Sequence, residues 1–478
     1  MQVIFYSLFI SNGKLFFWKI IVSFAKTKSR NKQETEIDME IKKFIIAVAF
    51  FVAMFMTFKG IAQQSEYISE HDAVARAISN NSNIKMADMD VGIANADYHR
   101  TDAAFLPQLT LNYTAMSTNN PLNAFGFLLQ HRVVSGTDFD PERLNNPHVS
   151  QDYIASAELK MPVLNMDMIY ARKGARAQET MYKYKKQRSI EYVEFEVRKT
   201  YSFLQFSYRA REVLIKSLSD VKSIYESVNN FYRQGLIQKS DLLNARVQMN
   251  VVETELAKAE SNIKNASDGL RVLMGLDING EIFSADTLEQ RQSVKADYYV
   301  PEKRADLMAL NKAVEASSFM VSSSKMAFMP HVNAFGSYQF NDAKALKFGS
   351  DSYLIGINLS WNVFSGNKNR SKTKSYKYQH NKMSEKYNYM KRQSSMELLK
   401  TERELNDSQL EIDKRQASVV QAGESLRITR NRFDKGLAST TDLLAAQARL
   451  SQQELQLAGA VMQYNITQSY LKFITEVK

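Results

Sequence analysis

The sequence predicts a mainly α-helical protein with a small β portion: long coiled-coil-like helical hairpins plus four amphipathic strands per chain. Three observations predict it. Only 7 Pro and 17 Gly occur in 478 residues, sparse for a chain that must turn often and natural for long uninterrupted helices. The chain also repeats itself, because Tyr232-Arg233-Gln234-Gly235-Leu236 returns as Phe433-Asp434-Lys435-Gly436-Leu437. Finally, four runs of about ten residues alternate apolar and polar side chains at the period of a strand. With 44% hydrophobic and 24% charged residues, a disordered chain and a polytopic helical membrane protein are both excluded. Cysteine is absent, which removes disulfides, thiolate metal sites, Cys nucleophiles and a lipid-anchored N-terminal Cys.

The first element is a secretory signal over 39–62. Lys42 and Lys43 precede the apolar stretch Phe44 to Phe58, and Gly60-Ile61-Ala62 supplies small residues before Gln63. The stretch is shorter than the roughly 20 residues of a membrane-spanning helix, so cleavage after Ala62 is preferred to an uncleaved anchor. Residues 1–38 read as an upstream extension, with Met39 the true start. Residues 1–62 carry nine Lys/Arg against four Asp/Glu, so the +11 of the whole chain falls to about +6 afterwards. That remainder reads as spread along helices without a basic block, which speaks against nucleic acid.

The first repeat spans 63–275. It opens on a helical segment, Ser69 to Asn83, and reaches Phe105-Leu106-Pro107-Gln108-Leu109, where Pro107 closes a helix and opens a strand. Leu109, Leu111, Tyr113 and Ala115 alternate with polar neighbours, as do Tyr153, Ala155, Ala157, Leu159 and Met161. Between them Ser117 to Gln151 is long for a strand connection and holds the apolar run Phe125-Gly126-Phe127-Leu128-Leu129. Two readings stay open for it: an extracellular loop folded over or into a barrel mouth, or packing on the membrane surface. A helix of about 70 residues, roughly 105 Å, then runs from near Asn165 to Gln234.

Gly235 suits a helix C′ position. Ser240 and Thr441 read as N-caps, and Asp241 and Asp442 suit a first turn. Beyond each turn an apolar seam repeats every 3.5 residues, from Leu242 through Ala245, Met249 and Val252 to Leu273, and from Leu443 to Ile474. That period implies coiled-coil-like packing, although a helical hairpin in a soluble bundle would share it. A linker, 276–300, separates the halves.

The second repeat, 301–478, mirrors the first. Phe328-Met329-Pro330-His331-Val332 matches the first junction, with Pro330 for Pro107. Val332, Ala334, Gly336, Tyr338 and Phe340 form one apolar line, broken by Phe335 on the polar side, and Tyr353, Ile355, Ile357, Leu359 and Trp361 form another. Strands of this length and two-faced character suit a membrane barrel, and the aromatics Tyr113, Tyr153, Tyr338, Tyr353 and Trp361 suit an interfacial girdle. Strands of a soluble sandwich would alternate likewise. Four strands cannot close a membrane barrel, and open edges are not tolerated in lipid. If they span a membrane, several chains must pool them.

These features together resemble the outer-membrane efflux protein family typified by TolC, over about Ser65 to Glu476. The resemblance is carried by Ala73, Ala77, Asn80 and Asn81, by Leu106-Pro107 and Met329-Pro330, by the strand exit Trp361-Asn362-Val363-Phe364-Ser365-Gly366, and by the doubled Gly-Leu…Asp-Leu-Leu turn. Asn81-Ser82 stands where the family has Asn-Pro, and the first strand exit, Val163-Leu164-Asn165, lacks the family's Gly. The resemblance implies a homotrimer, a trimeric α-helical tunnel continued by a 12-stranded transmembrane β-barrel in the cell outer membrane. It implies partners as well: a periplasmic adaptor protein and an inner-membrane pump of an efflux or type I secretion system. The adaptor would dock at the turns Gly235, Leu236, Ile237, Ser240 and Asp241, and Gly436, Leu437, Thr441 and Asp442; Pro107, Pro330 and Gly366 would set the helix–strand junctions.

No catalytic residue, cofactor or metal ligand is expected. The six His are scattered, the 21 Met form no cluster, and no phosphate-binding Gly loop exists. The alternatives are a periplasmic coiled-coil adaptor, which has no use for four amphipathic strands, and a channel for polysaccharide or adhesin secretion.

Overall fold

A computed structural model describes residues 66–278, 280–292 and 299–475. The signal sequence and the upstream extension lie outside them. In chain order the elements are β1 (Glu66–Tyr67), α1 (Glu70–Asn80), α2 (Ser82–Arg100), β2 (Gln108–Thr118), α3 (Pro121–Gln130), α4 (Pro141–Asn145), β3 (Ser150–Leu164), α5 (Met166–Arg233), α6 (Lys239–Leu273), β4 (Phe283–Ser284), α7 (Ala305–Met326), β5 (His331–Asp342), β6 (Ser350–Ser360), α8 (Lys368–Asp434) and α9 (Thr440–Thr475). The two longest helices have 68 and 67 residues, about 100 Å each. Among the described residues no helix is both long and apolar enough to cross a membrane.

The four long strands form one antiparallel sheet in the order β2-β3-β5-β6. Each strand is joined directly to a helix, so the helices beside the sheet repeat its order: α2 packs on α5, α5 on α7, and α7 on α8. Further from the sheet the neighbours change. There α6 packs on α5, α5 on α9, and α9 on α8. The two layers share the long helices, and their short helices meet end to end. Asn81 at the start of α2 donates from Nδ2 to the Leu273 carbonyl ending α6, at 2.7 Å. Arg304, just before α7, donates to the Ile474 carbonyl of α9 at 3.3 Å and to both carboxylate oxygens of Asp306 at 2.7 and 2.8 Å. Carbonyls that a helix terminus would leave unpaired are thereby satisfied.

This waist holds the largest buried apolar cluster among the described residues. Ile68, Ala73, Ala77, Val197, Tyr201, Leu270, Met274 and Phe283 form one buried cluster. Ser69 caps α1, its hydroxyl accepting from Asp72 N at 3.1 Å. Ser82 occupies the first position of α2, where Pro is also favoured, so the departure from Asn-Pro keeps the same backbone. The linker 276–300 was expected to separate the halves; its described residues 276–278 and 280–292 tie them together. Phe283–Ser284 pairs in parallel with Glu66–Tyr67. Gln205 of α5 holds the Asp286 and Thr287 carbonyls at 3.2 Å, and Asn465 of α9 holds the Glu289 carbonyl at 2.8 Å. Burial pushes the Tyr201 hydroxyl pKa up, beside Asp286 at 2.9 Å.

The expected seams are the packing faces. Ala245, Met249, Val252, Ala259, Ile263 and Leu270 are buried, as are Leu443, Leu450, Tyr464, Leu471 and Ile474.

Candidate functional site: an open two-faced sheet and a pair of helical tips

Register places all four apolar lines on one face of the sheet. Leu111 lies opposite Ala157, Ala157 opposite Tyr338, and Tyr338 opposite Tyr353; one row on, Leu109, Leu159, Gly336 and Ile355 align. This face is uncovered: Leu111 is 74% exposed and Ile355 77%. The other face carries Thr110, Asn112, Glu158, Gln339 and Asn358. Phe335, the exception, is accommodated because Gly356 lies directly opposite; a Cβ there would sit 2.7 Å from the Phe335 ring. Strands β2 and β6 each have one unpaired edge within the chain.

The five aromatic positions do not form two rings. Tyr113, Tyr153, Tyr338 and Tyr353 share the apolar face but cluster in neighbouring rows away from the helices. Trp361 alone lies at the helical end, its indole N–H donating to the Phe328 carbonyl at 3.0 Å. Pro107 and Pro330 stand one residue before β2 and β5. Gly366 turns the second strand exit with φ +62°. The first exit has no Gly and turns by a register shift between Pro162 and Leu164, an extra residue that bends the strand instead.

The connection between β2 and β3 is no plain loop. Asn120 caps α3 by accepting from Leu122 and Asn123 at 3.1 and 3.2 Å, with Pro121 at the first turn. The apolar run is the body of this helix, with Ala124 and Phe127 buried. Its end is pinned to the polar face: His131 Nε2 lies 2.9 Å from Asp152 Oδ1, and Asn341 Nδ2 donates to the Asp152 carboxylate at 3.0 Å. The Asp152 residue is 0% exposed. Ser350 donates to the Gln130 carbonyl as well. Sequence reasoning missed this network because its members lie far apart in the chain.

At the opposite end of the molecule the two turns lie side by side, joined by the Phe231 and Phe433 rings at 5.7 Å. Gly235 and Gly436 have φ +74° and +73°. Leu236 N–H donates to the Phe231 carbonyl and Leu437 N–H to the Arg432 carbonyl, at 3.0 and 2.8 Å, closing two Schellman turns. Leu236 and Leu437 are 66% and 65% exposed, whereas Ile237 is half-buried in the tip cluster. The N-caps differ from expectation. Helix α6 begins at Lys239 after Gln238, and α9 at Thr440 after Ser439, so Ser240 and Thr441 sit inside their helices. Asp241 and Asp442 reach back to the Gln238 and Ser439 N–H groups at 3.2 and 3.1 Å. Ser439 hydroxyl and backbone donors hold the Asp442 carboxyl below its ordinary pKa.

Among the described residues no group of three or more His, Asp or Glu converges to hold a metal ion.

Comparison with known proteins agrees with this architecture. The family profile described as outer membrane efflux protein matches residues 73–276 and 300–475. The cation efflux system protein CusC of Escherichia coli O6:H1 is 22% identical over 271 residues, which is 54% of this chain and 53% of that protein. The chain thus aligns with about half the length of that curated relative. In solved structures, CusC superposes with TM-score 0.74 at 16% identity over 87% of this chain and 94% of its own. The Campylobacter jejuni CmeC outer membrane channel gives 0.72 at 17% identity over 85% of each chain. The Neisseria gonorrhoeae MtrE outer membrane channel gives 0.70 at 14% over 85% and 88%. With a two-faced open sheet, two long helices and a profile match across both halves, the chain belongs to the outer membrane efflux protein family.

Proposed function

We propose that this chain is one subunit of a homotrimeric outer-membrane channel that conducts substrates and catalyses no reaction. The observation that carries the reading is the sheet. Its apolar face is exposed along four strands of 11 to 15 residues, and its two outer edges are unpaired. Hydrocarbon suits such a face and forbids such edges. Pooling the strands of three copies gives a closed barrel of twelve, with the polar face lining the lumen. The helices beneath would continue it as a periplasmic tunnel, and α3, pinned to the polar face, would lie in the barrel mouth.

The distal tips fit a periplasmic adaptor, which would link the tunnel to an inner-membrane pump in an efflux or type I secretion system. Exposed Leu236 and Leu437 on Schellman turns offer rigid apolar anchors for it. The two halves fit two efflux repeats, 63–275 and 301–478, bridged at the waist by the described part of the linker 276–300. A periplasmic coiled-coil adaptor finds no support in the sheet or in the relatives.

Since the chain has no cysteine, engineered pairs test assembly cleanly. Thr110→Cys on β2 with Asn358→Cys on β6 should form intermolecular disulfides in outer-membrane fractions and stop at a linked trimer. Exclusively monomeric protein, or ladders beyond three, would sink the reading.

A further inference from the structure

The positive charge of this chain was expected to be dispersed, but it is concentrated at one level. The sheet-side part of α8, Lys368 to Arg392, carries nine Lys/Arg against one Glu. The sheet-side part of α5, Met166 to Arg188, carries seven against two Asp/Glu. The remainder of α8, Gln393 to Asp434, carries seven against eight. Interspersed Tyr, Asn, Gln and Ser keep the cations from forming a run, which is why they read as scattered.

Pairing divides α8 in the same way, apart from Lys391 with Glu302, whereas on α5 Arg172, Lys183, Lys186 and Arg188 pair with Asp102, Glu179, Asp88 and Glu191. Away from the sheet α8 balances its cations along its own surface, as Lys400 with Glu404, Arg415 with Glu411 and Arg427 with Glu424. Near the sheet Lys368, Lys372, Lys382 and Lys386 have no ion pair among the described residues, and 368/372 and 382/386 repel each other at i,i+4 spacing.

Three of the cations, Lys185, Arg188 and Lys386, line a defined space, and Arg188 is paired with Glu191. A cleft of about 770 Å³ is bounded by α2, α5, α7 and α8 at this level, and Lys185, Lys386, Tyr182, Tyr192, Leu310 and Met383 line it. The acidic groups there are Asp90 and Asp306, and Arg304 already holds both oxygens of Asp306.

We propose that this cationic layer makes the conduit select for anions, with the cleft taking amphipathic organic anions: aromatic and thioether side chains on the apolar body, Lys185 and Lys386 on the acidic group. The proposal rests on the channel reading. Threefold repetition would multiply the charge around one lumen, where low-dielectric walls focus its field. Lysines turned to the conduit would act on ions passing within a Debye length, about 8 Å at physiological salt.

The test is the reversal potential of purified trimers in planar bilayers under a KCl gradient. Wild type should pass chloride in preference to potassium, and K372Q/K382Q/K386Q should lose that preference. K386Q alone, a single change in the cleft lining, should reduce it. Anilinonaphthalene sulfonate added to one side should reduce the current, and K185Q/K386Q should relieve that block. A cation-selective or unselective wild type overturns the proposal. So does a preference that survives the substitutions, which would place its source at other residues. Trimers that never conduct would instead refute the channel reading, and the proposal with it.

Discussion

Single residues decide how the long helices end. Gly235 and Gly436 take the left-handed conformation that closes each helix, and no atom would lie within 4 Å of a Cβ on either. Their requirement is therefore conformational, not steric. Asp442 adds a pH dependence at the neighbouring cap. Its folded pKa lies below the ordinary carboxylate value because Ser439 donates to it from hydroxyl and backbone, at 2.7 and 3.1 Å. Its contribution to the turn is thus fully present above the unfolded pKa and lost as pH falls through the folded one. Hydrogen exchange at the first turn of α9, taken relative to the intrinsic amide rate at each pH, should accelerate as the medium is acidified into that range. Ser439→Ala should accelerate it already at neutral pH, losing about 1 kcal/mol of local stability. Exchange indifferent to both changes would show that the cap does not hold the turn.

Whole elements act through the surfaces they present together. The Schellman turns are paired because α9 packs between α5 and α8 and Phe231 meets Phe433 at the tip, making one tip surface of two hairpins. Replacing both exposed leucines, Leu236→Asp with Leu437→Asp, should abolish export while leaving heat-resistant trimers in the outer membrane. Resistance of cells to exported compounds, compared with trimer abundance on unheated gels, reads out the difference. Normal export would remove the tips from adaptor docking. The repeat proved an incomplete guide here. Tyr232 and Phe433 are equivalent by sequence offset, yet Tyr232 is exposed and Phe433 buried, because the two helices occupy different lateral positions. Much the same holds for Leu243, exposed on α6, and its counterpart Leu444, buried on α9.

At the scale of the molecule those lateral positions become the argument for assembly. Helices α6 and α8 stand at the two margins of the layer away from the sheet, and each carries exposed apolar side chains: Leu243, Val247 and Val251 on α6, and Leu399, Leu410, Val420 and Ile428 on α8. Counting 1.5 Å per residue from the tips, Val247 and Ile428 lie about 15 and 12 Å up their helices, close to the same height. One copy's α8 can therefore meet its neighbour's α6 with apolar side chains in step. Val247→Glu with Ile428→Glu should convert trimers to monomers in mild detergent, as measured by light scattering. Each buried apolar side chain lost there removes about 1.5–3 kcal/mol per interface. Trimers that persist unchanged would place the subunit seam elsewhere.

The sequence by itself determined the local elements: both long helices, the four strands with their apolar and polar faces, the proline junctions and the glycine turns. It could do so because 3.5-residue and two-residue periods, Pro before a strand and Gly after a helix are short-range consequences of backbone geometry. Only the tertiary structure decided which elements are neighbours. It turned the described part of the 276–300 linker into a strap across both halves, made an apolar loop into helix α3 clamped by His131, Asp152 and Asn341, and gathered scattered lysines into one cationic layer. Those outcomes depend on residues far apart in the chain, and the free energy that brings them together comes from packing that no local pattern records.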